Sequence, residues 1–156
     1  MSIRRAQTGD IPDIERLLRQ VCTVHSAARP DLFIENGQKY FADKLTQMIA
    51  DENRPIFVFP DDEGNVLGYA MCIIKDTSGD TAVHDMKCLY LDDLCVDEQC
   101  RGEGIGKHLF DYVIDYAQSI GCYNVTLNVW EGNDSAKSFY GKCGLKPQKV
   151  TLEKIL

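Results

Sequence analysis

The stretch that decides the fold runs Cys95-Val96-Asp97-Glu98-Gln99-Cys100-Arg101-Gly102-Glu103-Gly104-Ile105-Gly106. It joins the end of an apolar run to the start of a strongly periodic helical pattern. Its glycines allow the backbone to come close to a ligand. The first amides of a helix carry a partial positive charge that attracts anions. The stretch therefore predicts a strand, a tight turn and a helix that together hold a phosphate group.

Periodic patterns on both sides of this turn predict further helices and strands. Apolar residues at helical spacing indicate helices, and compact apolar runs bounded by polar turns indicate strands. Gly121 is placed to end the helix that follows the glycine turn, and Asn133 is placed to begin the next one. The predicted helices are 11–21, 40–49, 104–121 and 133–144, and the predicted strands are 3–6, 56–59, 66–74, 88–96, 125–129 and 150–152.

The order of these elements predicts a mixed sheet covered by helices. The second, third and fourth strands follow one another without a helix between them, which favours antiparallel pairing. The strand, helix and strand between residues 88 and 129 favour a parallel crossover instead. We therefore expect a mixed α/β fold with both kinds of strand pairing.

Composition limits the classes of protein to consider. The 156 residues, 44% of them hydrophobic, predict one compact domain over residues 1–156. No apolar run is long enough to span a membrane, and the first residues lack the apolar segment of a signal peptide, so we expect a cytoplasmic protein without membrane contact. The net charge of −7 disfavours nucleic acid and suits a cationic small molecule or a basic peptide terminus. Seven cysteines without a Cys-x-x-Cys pair indicate reduced thiols and no metal site.

Three kinds of phosphate site compete for the glycine turn. A nucleoside triphosphate loop ends in Gly-Lys-Ser/Thr, whereas here Gly106-Lys107 is followed by His108. A dinucleotide-binding turn needs Gly-x-Gly-x-x-Gly early in a doubly wound fold, and this turn has another spacing and comes late in the chain. The third alternative is a cradle for the pyrophosphate of coenzyme A.

Two segments resemble the GNAT superfamily of acetyl-coenzyme A-dependent N-acetyltransferases. The segment from Arg101 to Gly106 is similar to the Arg/Gln-x-x-Gly-x-Gly/Ala signature of that family. The segment from Asn133 to Leu145 is similar to its Asn-x-x-Ala-x-x-Phe-Tyr-x-x-x-Gly-Phe pattern, with Leu145 in place of a frequent aromatic residue. The resemblance implies a central, mostly antiparallel sheet with a parallel crossover from the fourth to the fifth strand, flanked by about four helices.

The same resemblance implies where acetyl-coenzyme A, the expected co-substrate, binds. Backbone amides at Val96 and its neighbours would hold the pantetheine arm and the thioester oxygen. Amides from Gly102 to Lys107 would hold the pyrophosphate, and the Lys107 side chain would add positive charge. The implied cofactor-binding residues are Leu94, Cys95, Val96, Arg101, Gly102, Glu103, Gly104, Ile105, Gly106, Lys107, Asn133, Ala136, Phe139 and Tyr140.

Acetyl transfer to an amine requires a neutral amine and a proton donor for the leaving thiolate. Tyr140 occupies the position where many family members keep a tyrosine near the coenzyme sulfur, so it is our candidate for the general acid. Asp92 and Asp93 are candidates for the base or for an anchor of a cationic substrate. As neighbours on a regular strand they should point to opposite faces, so only one would reach the amine.

Other residues remain candidates for parts of the acceptor site. Glu98, His84 or a chain of waters can serve as the base, and His25 can line the acceptor pocket. We do not expect Cys95 to act as a nucleophile, because the resemblance implies direct transfer in a ternary complex and the sequence pairs no histidine with it.

Two functions from different classes follow. One is an N-acetyltransferase that acts on a primary amine of a small molecule or peptide. The other is a noncatalytic acyl-coenzyme A-binding sensor or assembly module. The residues before position 88 and the final strand would form the acceptor pocket, and the resemblance also allows a homodimer.

Overall fold

A computed structural model describes residues 2–156 and contains five strands and four α-helices within that range. Two short 3-10 turns, Thr8–Asp10 and Glu98–Cys100, precede α1 and α3. The elements in chain order are β1 (Arg4–Arg5), α1 (Ile11–Ala28), α2 (Ala42–Ala50), β2 (Ile56–Pro60), β3 (Val66–Asp76), β4 (Lys87–Val96), α3 (Ile105–Ser119), β5 (Asn124–Thr126) and α4 (Asp134–Lys142).

The strands form one sheet in the order β1-β2-β3-β4-β5. All neighbouring pairs are antiparallel except β4 and β5, which are parallel. The connection between β4 and β5 passes through α3, as the crossover predicted from the order of elements requires. The mixed sheet and its four helices confirm the predicted fold class.

Helices cover both faces of the sheet. On one face, α1 and α2 bury Leu17 and Leu45 against Tyr69 of β3. On the other face, α3 buries Leu109 against Leu89 of β4. Each of these side chains is almost fully removed from water, and burial of a large apolar side chain contributes roughly 1.5–3 kcal/mol. The two cores hold β3 and β4 firmly at the centre of the sheet.

An irregularity in β4 changes the direction of its side chains. Asp93 lies opposite Met71 and Leu91 lies opposite Cys72, so Asp92 is an extra residue without a partner on β3. Leu91 belongs to the core under α3, whereas Cys95 belongs to the core under α1. An inserted residue of this kind breaks the alternation of a strand. The prediction that Asp92 and Asp93 point to opposite faces is therefore wrong: both carboxylates lie on the α1 side.

The predicted helix ends near the glycine turn and before α4 agree with the structure. Asn133 caps α4, where its side-chain oxygen accepts a hydrogen bond of 3.1 Å from the Ala136 amide. Gly121 follows α3 with a φ of +79°, a conformation that favours glycine. Local chemistry alone therefore determines these boundaries.

The predicted last strand is wrong, and the predicted fifth strand is too long. Residues 150–152 belong to no strand, and regular pairing of β5 is confined to Asn124–Thr126. A strand exists only where a neighbouring edge accepts its backbone hydrogen bonds, and no edge within residues 2–156 pairs with 150–152. β-forming residues alone could not reveal that.

Two kinds of feature are absent from residues 2–156. None of their helices is long and apolar enough to cross a bilayer. No group of three or more His, Cys, Asp or Glu side chains in that part of the chain is arranged to hold a metal ion.

Candidate active site

β4 extends beyond its pairing with β5, and within residues 2–156 the rest of that backbone edge has no strand beside it. Their pairing covers only Cys88–Tyr90 and Asn124–Thr126, although β4 continues to Val96. Over that continuation β4 stays paired with β3 on its other side. Alternate backbone groups between Leu91 and Val96 therefore face the opening between β4 and β5. Such groups need hydrogen-bond partners, and an extended ligand can supply them.

The glycine turn lies at the end of this open edge. Gly102 and Gly104 have φ values of +86° and +83°, which other residues adopt only with strain. No atom lies within 4 Å of the position that a Cβ would occupy at either glycine. A Cβ on Gly106, in the first turn of α3, would lie 3.5 Å from Val96 and 3.6 Å from Phe139. The turn thus brings the end of β4, the start of α3 and one side of α4 together around open space.

An ion pair that no sequence motif predicted anchors the turn. The buried Asp97 side chain accepts hydrogen bonds from the Gln99 amide and from Arg16 of α1. Burial opposes the charge on Asp97, but these hydrogen bonds and Arg16 keep its pKa below the ordinary value. Asp followed by a turn predicts a local side-chain cap, but no local pattern identifies Arg16 as its distant partner.

Lys107 and Arg101, the two cationic residues of the glycine turn, differ in whether an acidic side chain already pairs with them. Lys107 forms an ion pair of 2.6 Å with Asp111, one turn further along α3. Arg101 is exposed, and within residues 2–156 no acidic side chain forms an ion pair with it. Arg101 is therefore better placed than Lys107 to meet an anion at the turn. The other predicted residues here, Glu103 and Ile105, are exposed and buried respectively.

α4 places Tyr140 against α3. The rings of Phe139 and Tyr140 contact each other at 5.0 Å, and Tyr140 lies 5.9 Å from Phe110 of α3. Burial, followed by the negative charge of Asp93, raises the pKa of Tyr140 well above its ordinary value. Its phenol therefore keeps its proton at neutral pH.

The two carboxylates at the bulge have different surroundings. Asp92 accepts hydrogen bonds of 3.0 Å from the Lys39 ammonium and 2.7 Å from the Tyr40 hydroxyl, and its side chain is only 10% exposed. Asp93 accepts one of 2.7 Å from the hydroxyl of Tyr69, a residue of the α1 core. The segment between α1 and α2 therefore neutralises Asp92 but not Asp93.

The surroundings of Asp93 determine its affinity for a proton. Burial raises the pKa of Asp93 from 3.8 to about 6, and the charge of Asp92 acts in the same direction. The Tyr69 hydrogen bond and the Lys39 charge act against this rise. Burial lowers the pKa of Lys39. The hydrogen bond to Asp92 and the negative charge of Asp92 have a larger effect in the opposite direction, so the pKa of Lys39 is raised. Asp93 thus combines a partly buried position with a pKa raised to about 6, which suits a general base.

Three further residues, His25, Glu98 and His84, were predicted for the base or the acceptor pocket. His25 stacks on Phe33 at 4.9 Å, and burial together with the Lys39 charge lowers its pKa. Glu98 is exposed at the glycine turn, and His84 is exposed in the loop between β3 and β4. Neither of these side chains forms a hydrogen bond with Asp92 or Asp93.

Cys95 is held as a neutral thiol. It lies on β4 between the open edge and the α1 core, and its sulfur donates a weak hydrogen bond of 3.5 Å to the Leu17 carbonyl. Burial raises its pKa to about 12. Because a nucleophilic cysteine needs its thiolate form, this environment agrees with the expectation that Cys95 is not a nucleophile.

The fold and the site combine two parallel strands that pair over only three residues each with a glycine turn that has open space beside it. The family model described as the acetyltransferase (GNAT) family matches residues 19–145. This chain therefore belongs to the GNAT family of acetyltransferases, as the resemblance implied.

Solved structures agree over the whole chain. A mutant of the BH1408 protein from Bacillus halodurans is 32% identical, with a TM-score of 0.94 over 100% of this chain and 99% of that one. Glucosamine-6-phosphate N-acetyltransferase from Arabidopsis thaliana is 23% identical, with a TM-score of 0.71 over 99% of this chain and 97% of that one. The second likeness shows a shared fold alone.

Curated relatives match shorter stretches. Glucosamine 6-phosphate N-acetyltransferase from Arabidopsis thaliana is 34% identical over 44% of this chain and 44% of its own length. The enzyme of that name from Trypanosoma brucei brucei is 33% identical over 53% of this chain and 52% of its own length. The chain thus spans about half the length of these relatives or less.

Proposed function

We propose that this chain is an N-acetyltransferase that transfers the acetyl group of acetyl-coenzyme A directly to a primary amine of a small molecule or peptide. The observation that carries the proposal is the open edge of β4, which runs from the bulge with Asp93 to the glycine turn. One extended ligand lying along this edge would meet backbone donors at one end and a candidate acid and base at the other. Membership of the GNAT family supports the same function.

The residues present suit acetyl-coenzyme A. The backbone between Leu94 and Val96 would accept the pantetheine arm as if it were a further strand. The amides that begin α3 would bind the pyrophosphate, since the space beside Gly102 and Gly104 is open. Arg101 would supply positive charge, and Lys107 less of it, because Asp111 already pairs with Lys107.

Asp93 is the proposed general base. The bound co-substrate would supply an acyl group on a sulfur leaving group, and a neutral amine would attack the acyl carbon and lose one proton as the new bond forms. The nitrogen forms a bond to the acyl carbon while the carbon–sulfur bond breaks, and Asp93 takes the amine proton directly or through a water. Asp92 is less suited to this role, because Lys39 and Tyr40 already occupy its oxygens.

Tyr140 is the proposed general acid. Its raised pKa keeps the phenol protonated at neutral pH, so it can give its proton to the departing sulfur. Its ring is held by Phe110 and Phe139 and needs no protein hydrogen bond to stay in place. The acid and the base would then stand on different elements, α4 and β4, on either side of the reacting carbon.

The acceptor side would be formed by the segment between α1 and α2 together with the loop before α4. Phe33 contacts both His25 and Trp130, at 4.9 Å and 5.3 Å. This aromatic cluster, together with the charged Lys39 and Asp92 pair, suits an amine that carries both apolar and polar groups. The curated relatives suggest glucosamine 6-phosphate as one acceptor to test.

Two measurements on the purified protein test the proposal. Calorimetric titration with acetyl-coenzyme A, coenzyme A and ATP should show binding of the two coenzyme forms in preference to ATP. Release of free thiol should then be followed with a panel of amines that includes glucosamine 6-phosphate, an aminoglycoside, a polyamine and a peptide with a free N-terminus. Binding without turnover on every amine would favour the noncatalytic sensor, and a lack of coenzyme binding would overturn both functions.

A further inference from the structure

The segment between α1 and α2 brings a primary amine of the chain itself to the bulge of β4. The Lys39 ammonium donates a hydrogen bond of 3.0 Å to Asp92, which precedes the proposed base Asp93 on the same face of the sheet. Lys107 and Lys137 also form ion pairs, and both of them pair with exposed acidic residues outside β4. Lys39 is thus the lysine whose ion pair lies where the proposed reaction needs an amine.

The charges of Lys39 and Asp93 act on each other. Burial lowers the pKa of Lys39, whereas Asp92 and, with a smaller effect, Asp93 raise it. Burial raises the pKa of Asp93, and the positive charge of Lys39 opposes this rise. The nitrogen of Lys39 therefore lies within electrostatic range of the carboxylate that we propose to take a proton from the acceptor amine.

The Lys39 side chain can leave its ion pair at a small cost. It is 47% exposed, whereas the Asp92 side chain is 10% exposed. An ion pair with a half-exposed lysine contributes on the order of 1 kcal/mol. When Lys39 moves away, Asp92 still accepts the hydrogen bond of 2.7 Å from the Tyr40 hydroxyl. Lys39 is therefore free to change its position and lose its proton while the site keeps its shape.

We propose that Lys39 is an internal acetyl acceptor, which the chain acetylates when acetyl-coenzyme A is bound and no other amine occupies the acceptor site. This inference rests on the proposed function, because it uses the same co-substrate, base and acid. After the ammonium gives one proton to water, the Lys39 nitrogen forms a bond to the acetyl carbon while the carbon–sulfur bond breaks. Asp93 takes the second proton of the nitrogen, and Tyr140 gives its proton to the leaving sulfur. The products are Nε-acetyllysine and free coenzyme A, and proton exchange with water then restores Asp93 and Tyr140.

Two opposing effects determine how fast Lys39 reacts. Its pKa lies above the ordinary 10.5, so fewer than about one Lys39 side chain in a thousand is neutral at pH 7. Holding an amine and a thioester together in one site, however, corresponds to an effective concentration of about 10⁵ M or more in well-oriented reactions. The second factor is the larger one. An exposed lysine such as Lys44 of α2 lacks this advantage, so acetylation should be slow but confined to Lys39.

Isotopically labelled acetyl-coenzyme A tests the proposal. The purified protein is incubated with it in the absence of added amine, and peptide mass spectrometry then locates the label. Label should accumulate on Lys39 at least about 100-fold faster than on Lys44 of the same chain. Lys39→Arg keeps a positive charge beside Asp92 but has no amine to acetylate, so this variant should lose the fast labelling. Lys44→Arg makes the same change on the exposed surface of α2, and this control should keep the label on Lys39.

Two further measurements relate the label to the proposed site. Asp93→Asn should lower the rate of labelling on Lys39 by about 100-fold or more, because the base is lost. The rate constant in the unmodified protein should stay the same after about tenfold dilution at saturating coenzyme, because the amine and the bound thioester belong to one chain.

The outcomes separate this inference from the proposed function. A protein that binds acetyl-coenzyme A and acetylates an amine of the panel, yet gains no label on Lys39, would overturn the internal acceptor and leave the proposed function intact. Equal rates on Lys39 and Lys44 would overturn it as well, since they indicate chemical acetylation without the site. A rate that falls on dilution, or one unchanged in Asp93→Asn, would have the same effect. A protein that does not bind the coenzyme would overturn the proposed function and this inference together.

Discussion

At the scale of single residues, one inserted position in β4 gives two neighbouring carboxylates different surroundings. Because Asp92 lacks a partner on β3, it shares a face with Asp93. Lys39 and Tyr40 then bind Asp92, and Asp93 is left with a single tyrosine hydroxyl. Active sites commonly use such a difference in surroundings to separate the roles of two carboxylates, and the proposed function assigns the base to Asp93 on this ground.

Substitution Asp93→Asn should lower kcat by about 100-fold or more, the usual contribution of a positioned base. The substitution should not lower the free energy of unfolding. The pKa of Asp93 is about 6 in the folded protein and 3.8 ordinarily. The folded protein therefore binds the Asp93 proton more tightly than the unfolded chain does, and loss of this proton lowers the free energy of unfolding as pH rises from about 4 to about 6. Removing the charge should therefore raise the free energy of unfolding at pH 7, by roughly 1–3 kcal/mol. Urea denaturation and steady-state kinetics on the same variant check both parts. A destabilised variant would mean that Asp93 is a structural residue.

The pH dependence of kcat/KM should report the neighbours of Asp93. The rate should rise with pH through about 6 as the base loses its proton. Lys39→Met should move this midpoint upward, because the charge of Asp92 then acts without its partner. Asp92→Asn should move it downward. The pKa of the substrate amine is common to all three proteins, so differences between their profiles isolate the base. Identical midpoints would show that Asp93 does not set the profile.

Tyr140→Phe should lower kcat by about 100-fold while the affinity for acetyl-coenzyme A stays nearly unchanged. The ring remains, so its contacts with Phe110 and Phe139 are kept. Tyr112→Phe makes the same change on α3, where the ring contacts Phe57, and should have no effect on kcat. Stopped-flow detection of released thiol, with calorimetry for affinity, measures both quantities. An unaltered rate in Tyr140→Phe would remove this residue as the acid.

At the scale of elements, the sequence predicts where helices begin and end, but it does not predict which strands pair with each other. The glycine turn and the Asn133 cap fix the ends of α3 and α4 through their own chemistry, so the sequence predicts both helices correctly. The length of β5, and whether residues 150–152 form a strand, depend on which backbone edge lies beside them. No local sequence pattern encodes the position of that edge. The bulge at Asp92 escapes prediction for a related reason, since one extra strand residue leaves the composition unchanged.

The two ends of α3 provide a matched test of the phosphate cradle. Gly104 and Gly121 have φ values of +83° and +79°, and at neither glycine does any atom lie within 4 Å of the position that a Cβ would occupy. Alanine at either position should cost about 1–2 kcal/mol of stability through backbone strain. Only Gly104→Ala should weaken the binding of acetyl-coenzyme A, by about tenfold or more, because its Cβ projects beside the amides that start α3. Thermal unfolding and calorimetry of the pair separate strain from binding. Equal affinities would contradict a phosphate site at the turn.

At the scale of the whole molecule, the proposed site couples ligand binding to the stability of the entire fold, because it uses β4, α3 and α4 together. A ligand that binds only the folded chain stabilises it by mass action, so acetyl-coenzyme A at about a hundredfold its Kd should raise the free energy of unfolding by about 2.7 kcal/mol. For a chain of this size, the Tm should rise by about 5–10 °C. Scanning calorimetry with and without the coenzyme measures this shift, which should be kept in Gly121→Ala and reduced in Gly104→Ala at the same coenzyme concentration. Equal shifts in the two variants would mean that the coenzyme stabilises the fold from somewhere other than the glycine turn.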